Sequence, residues 1–555
     1  MGMKIKSTIK TVVTIVAAVF CGLTCSLTAD AQSLEFLDAI KYWNDGRTQQ
    51  AVKLLEKEIQ LNPDNDAAYH YLAKALLELD PQHNLDRAEA CMKKAAAIDT
   101  GNYWYRYTLA SFYERTGRPE LATVQFESLV NSFPKKPSLY FDLASSYLKA
   151  GEIDKAIAAL DRIEANVGKN DMIACTKLDL LVKKNKGDEK EAYEFLEKYC
   201  KECPSSRLET IMGEHWQREY RDSLAIACYD RAIEMDDGYA PAYYGRAHSW
   251  QGLRQYDKYF SDMSRFMKSE DVPSESKAEY INHMMESPQF IRAFLPEVDT
   301  LVLEARNLNV ADSLMNNVIG LYFYRTERKE LAVEILKQNV NFHPESFSVA
   351  FQYLLVLYYS QFWKATVDAG TLLLQRFPEH QEVYVIRASA LRALEEYDSA
   401  IEDYKAYIKS APTDSATVVS GYSSLGDLYY QKGDTKTAFD CYKKVLKIAP
   451  DNLLALNNYA YFLCLEGKDL RKAREMSRKT IEKEPDNPTY LDTYAWILHK
   501  LGQDIEAKAM FKHAMLYGGK ESATMLEHYA EVLSSLGEND LASIYLNQAK
   551  ALEKK

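Results

Sequence analysis

Glycine and proline are scarce in this 555-residue chain, at 22 and 16 residues. Clusters of the two at strand spacing are missing, which excludes an all-β fold. No block of five or six basic residues occurs, so the footprint of a nucleic-acid binder is absent. The formal charge of −12 is a mild acidic excess for this length. None of the ten histidines falls in a metal-ligating spacing such as H-E-x-x-H. Phosphate-cradling loops of the form G-x-x-x-x-G-K-[ST] or G-x-G-x-x-G are missing, as is the G-x-S-x-G elbow. Paired acids such as Glu395-Glu396 fall in a turn, where a solvated role is the ordinary one. Nothing here asks for an enzyme, a metal or another cofactor. What the chain does have is 47% hydrophobic residues and 39 tyrosines, ample for a folded, all-α protein.

The N-terminus differs from the rest. Lys4, Lys6 and Lys10 precede a nearly uncharged apolar run from Thr11 to Leu27, and Ala29-Asp30-Ala31 follows. A basic start, an apolar stretch and an A-x-A site make up a secretory signal peptide, predicted here for residues 1–31. The competing reading is an uncleaved anchor, for which the run is at the short limit. Cys21 and Cys25 lack the small residues that precede a lipidated cysteine. No second long apolar run follows, so no membrane span is expected once the signal is removed. The chain is accordingly expected to be exported, to the periplasm or envelope.

From Gln32 onward one pattern recurs. Tyr422, Leu425 and Tyr429 form an apolar stripe at helical spacing, with Gly426 inside it. Gly433-Asp434 breaks that helix, Ala438 lies early in the next, and Pro450 closes it. The layout Y-x2-L-G-x2-Y, G, A-x3-Y, P resembles the tetratricopeptide repeat (TPR), a helix–turn–helix of roughly 34 residues. Pro344, Pro378 and Pro412 repeat the closing proline at that interval, and Pro63, Pro134, Pro204 and Pro485 extend the series. The small residue opening the second helix returns as Ala51, Ala88, Ala122, Ala156, Ala192, Ala225, Ala332, Ala400, Ala473, Ala507 and Ala542, with Tyr259 in its place once. The resemblance covers nearly everything after residue 31. It implies a right-handed α-solenoid: an N-terminal block at 32–271 and a C-terminal block at 313–555, each of about seven repeats. Between them, Pro273, Pro288 and Pro296 interrupt the helical signal, since an internal proline costs a helix a hydrogen bond and a clash. Residues 272–312 are read as an atypical unit of short helices, either a hinge or a diverged repeat that stacks normally.

In TPR proteins ligands usually lie along the concave wall lined by the first helix of each repeat. The resemblance places Trp104, Tyr107, Phe141, Tyr244, His248, Phe351, Tyr358, Tyr359, Asn457, Tyr461 and Trp496 on that wall. The lysine and asparagine set with which some members clamp a peptide's C-terminal carboxylates is not assembled; Lys74 and Asn457 stand alone. An aromatic wall suits partner segments with apolar anchors, while tyrosine is also the ordinary packing residue of these repeats. His215, His248, His499 and His513 fall on separate helices and read as packing or surface residues. Cys200-Lys201-Glu202-Cys203 closes a repeat helix and lacks the βαβ setting of a redox motif. An exported protein meets an oxidising compartment, so a disulfide among Cys175, Cys200 and Cys203 is one expectation and free thiols the other.

These features together point to a non-enzymatic scaffold for partner proteins or peptides, aiding assembly of envelope complexes. A glycan-associated or nutrient-uptake accessory protein is the alternative, with Trp104 and Trp496 as exposed platforms for sugar rings.

Overall fold

The computed structural model describes residues 33–553. The predicted signal segment 1–31 lies outside them, as do Lys554 and Lys555 beyond the final helix, Asn539–Glu553. Among the described residues are 31 α-helices and no strand. The chain divides after Phe266 into two compact units.

Within each unit the helices are arranged as antiparallel pairs joined by tight turns. The pair Ser415–Gln431 and Thr435–Ile448 shows why. Gly433 adopts φ +89° in the turn, a left-handed conformation open to glycine at little cost. Asp434 then caps the second helix, accepting a hydrogen bond from the Thr437 amide at 3.1 Å. The two helices meet where side chains are small: a Cβ on Gly426 would sit 2.7 Å from the Tyr442 ring, and Ala438 is fully buried. The recurring alanines from Ala51 to Ala542 are all buried, and so is Tyr259 where it replaces one. Apart from the pair with Tyr259, the pairs with these alanines close on a small-residue contact, and their remaining apolar surface is buried by the next pair.

The second unit begins differently. Helices Ser274–Met284, Pro288–Ala293 and Leu295–Asn307 follow one another, each of the last two with a proline in its first turn. Proline is tolerated there because the first-turn amides have no intrahelical acceptor. The prolines thus start helices in this stretch instead of breaking them. Helices Ser274–Met284 and Leu295–Asn307 both pack on Ser313–Arg325, so the three-helix unit stacks on the pair that follows it.

Candidate functional site

First and second helices are not equivalent. First helices of neighbouring repeats touch each other, as Ser206–Arg218 does Ala240–Gly252 and Leu453–Leu465 does Pro488–Lys500. Among the described residues no two second helices make comparable contact. Within each unit several successive first helices therefore line up in a row, here called the inner row, and side chains on it can act on one ligand together.

In the first unit this row carries an aromatic group on Tyr103–Arg115. Trp104 is 65% exposed. Its ring meets Tyr103 and Tyr107 edge-on at 5.0 and 6.4 Å, and those two tyrosines stack at 5.5 Å. The next first helix, Pro137–Lys149, brings half-buried Phe141 and Asp142 alongside. Burial pushes the Asp142 carboxyl above the usual range, opposed by the nearby Tyr107 phenol, which favours the carboxylate. Further along, Tyr244 is 37% exposed, with its ring 4.5 Å from His248 and 4.9 Å from Phe266. Glu214 on Ser206–Arg218 is likewise pushed up by desolvation.

One repeat earlier, His70 and Lys74 lie on Asp66–Leu79. Burial pushes the Lys74 ammonium down. His70 is buried 4.9 Å from Tyr105, and desolvation, helped by Lys74, lowers its pKa to about 4. Between about pH 6.5 and 4 the unfolded chain therefore binds a proton at this site that the folded chain does not. Stability falls as pH drops through that window, by about 3 kcal/mol for a 2.5-unit shift. The expected result is a steeper acid loss of stability for the wild type than for His70→Phe, read from urea midpoints between pH 4 and 7. Equal slopes would overturn the assignment.

In the second unit Tyr359 is 60% exposed and Tyr358 packs against Trp363 at 5.7 Å. Phe351 is half-buried and stacks on Phe347 at 5.2 Å. The last repeats correct the sequence reading. Trp496 is not an exposed platform: it is 5% exposed, with the His528 ring stacked on it at 4.0 Å and the Lys500 ammonium 3.9 Å from its centroid. Asn457 is buried too, at 4%. Both retain an unsatisfied polar atom among the described residues, the Trp496 Nε1–H and the Asn457 Oδ1. Tyr461 stays half-buried, its ring 6.3 Å from His528. His528 also contacts Asp492 at 3.0 Å, and His499 contacts Asp504 at 2.6 Å and Glu531 at 3.2 Å.

Sequence reasoning passed over Tyr103, Asp142, Glu214, Asp492 and His528. Each is on a first helix, and aligning the helix starts in register would have brought them out.

The cysteines correspond to the second of the two expectations, free thiols. All seven cysteines of the described residues are free, Cys175, Cys200 and Cys203 among them. Cys200 is buried in an apolar cluster with Cys228 of the next repeat, and Cys175 and Cys203, the C-cap residue of Lys190–Glu202, pack against the same cluster. Burial pushes the Cys200 thiol up to about 12, which suits a packed thiol over a nucleophile.

No helix among the described residues is long and apolar enough to cross a membrane. Several solved structures align along most of the chain. The Naa15/Naa10 complex bound to HypK-THB matches with a TM-score of 0.37 at 13% identity, over 93% of this chain and 99% of that one. The APC/C hetero-tetramer Cut9–Hcn1 matches with 0.36 at 14%, over 95% of each. Yeast Tom70 gives 0.33 at 15%, over 88% and 92%. In sequence, 90 residues are 33% identical to the small glutamine-rich tetratricopeptide repeat-containing protein 2 of Saccharomyces cerevisiae (strain ATCC 204508 / S288c). That match takes in 16% of this chain and spans 25% of the relative's length. Family models described as tetratricopeptide repeat match residues 419–452, 107–171 and 369–415. Those segments coincide with paired helices that close on a small-residue contact, and in them the chain carries tetratricopeptide repeats.

Proposed function

We propose that this is an exported, non-enzymatic scaffold that receives segments of partner proteins on its inner row of first helices and aids assembly of envelope complexes. The carrying observation is where its aromatics lie. Tyrosines that serve only packing are fully buried, as Tyr140, Tyr229, Tyr322 and Tyr442 are. Trp104, Tyr244 and Tyr359 sit on first helices with 37–65% of their surface exposed. Aromatic side chains presented in this way are the usual anchors of protein interfaces. The carbohydrate alternative loses one of its two platforms with the burial of Trp496.

The test uses the full chain and a Trp104→Ala/Tyr244→Ala/Tyr359→Ala variant as baits in envelope extract. A defined protein is expected to be retained by the wild type and lost from the variant at unchanged helicity. Retention of glycan with no protein partner would overturn the scaffold reading. Export rests on the segment Lys4 to Ala31. Mass spectrometry of the protein from cells is expected to find a mature N-terminus at Gln32, and retention of residues 1–31 would count against it.

A further inference from the structure

The aromatic group on the third repeat has a feature that apolar docking alone does not use. Trp104 presents its indole to solvent, and Tyr107 stands edge-on beside it with its phenol close enough to Asp142 on the next first helix to favour that carboxylate. The Asp142 carboxylate makes no ion pair among the described residues; the nearby Lys149 is engaged with Glu114 at 3.0 Å. Most partly buried acids here do find a cation, as Glu89 does with Arg118 at 2.6 Å and Glu127 with Arg162 at 2.9 Å. Asp142 is left with a phenol. The ring surface around it is one that attracts ammonium groups, because the Lys136 Nζ already lies 3.9 Å from the Tyr103 centroid. An exposed indole face one ring removed from an uncompensated carboxylate is complementary to one kind of ligand atom, a cationic nitrogen.

We propose that Trp104, Tyr107 and Asp142 form a seat for a lysine or arginine side chain carried by the partner segment that docks on the inner row. This rests on the docking reading above and adds the partner's chemistry. The cation's aliphatic stem lies along the indole, as long basic side chains do on apolar surfaces, and its charged end reaches the Asp142 carboxylate. The occupant is thus an extended segment with a basic residue at a fixed distance from an apolar anchor. A C-terminal acidic tail is disfavoured, because its carboxylates would meet Asp142.

The experiment is a selection of randomised, surface-displayed dodecapeptides against the full-length wild type and the Asp142→Asn variant in parallel. Wild-type binders are expected to converge on lysine or arginine at one fixed offset from an apolar residue. Asp142→Asn binders should keep the apolar residue and lose the basic one. For a selected peptide, changing its arginine to neutral citrulline should weaken binding to the wild type about 10-fold and to Asp142→Asn less than 2-fold, the loss of one charge-assisted contact. Trp104→Ala should weaken the same peptide by a similar factor, with its circular dichroism unchanged. Binders without a basic preference would overturn the cation seat and leave the docking face standing. Failure to enrich any peptide on the wild type would overturn the docking face itself.

Discussion

Asp403→Ala is expected to destabilise the second unit by about 3–5 kcal/mol, the usual cost of breaking a buried ion pair from one side. Asp403 lies on Tyr397–Ser410, its side chain 6% exposed, and holds Arg387 of the paired first helix in a fork. Arg387 Nε donates to Oδ2 at 2.8 Å and Nη2 to Oδ1 at 2.5 Å, while Nη1 donates back to Thr371 of the preceding second helix at 2.9 Å. Alanine at 403 would leave a guanidinium 18% exposed with its main acceptor gone. Removing both charges together in Arg387→Met/Asp403→Leu should cost far less than the single change, because well-packed apolar residues can replace a buried pair nearly without penalty. Urea unfolding followed by circular dichroism separates the cases. A single substitution costing under 1 kcal/mol would mean that water already shares the site.

The same construction occurs in the first unit, where Arg246 forks Asp262 at 2.8 Å through both contacts and reaches Asp230 at 2.6 Å. In each case one arginine on a first helix ties its own second helix to the preceding one. Repeat proteins gain stability from neighbour-to-neighbour interfaces, so such a tie acts on two repeats at once. Loss of amide-exchange protection after Asp403→Ala should accordingly extend into Trp363–Arg376 as well as Tyr397–Ser410.

The architecture was legible because close helix contacts leave a mark on composition. The alanines from Ala51 to Ala542 are small for a steric reason, and all are buried. Arg387 and Asp403 were visible as letters, but their pairing depends on how one second helix lies across its first helix, which periodicity alone does not give. The face of the first helices was legible only in part. Register put Trp104, Tyr244 and Tyr359 on it and they are exposed, while Trp496 at the same kind of position is covered by His528 of the following repeat. Side-chain exposure there is decided by the neighbour's identity, which a single-repeat template does not contain. The state of the cysteines was left open for a similar reason. C-x-x-C spacing brings Cys200 and Cys203 near in sequence, and both meet an apolar cluster shared with the next repeat, whose residues the motif does not name.

Tyr229→Ala should be equally costly, at about 3–5 kcal/mol for removing a large ring from a packed core. Tyr229 is fully buried on Asp222–Met235, between the backbones of two successive first helices. A Cβ on Gly213 would lie 2.6 Å from its Cε1, and a Cβ on Gly245 would lie 2.5 Å from the same atom. The two glycines are therefore the space the ring occupies. Neither has a positive φ, so backbone freedom does not explain them. That makes a sign reversal testable. In the wild type Gly245→Ala adds a methyl into the ring and should cost about 1–3 kcal/mol through overpacking. In the Tyr229→Ala background the methyl meets empty space, and the helix gains roughly 1 kcal/mol from replacing glycine by alanine. The double mutant should thus be more stable than Tyr229→Ala alone, with a coupling energy of up to about 3 kcal/mol between the sites. Simple additivity would show instead that the ring shifts aside freely and that glycine at 245 serves another purpose.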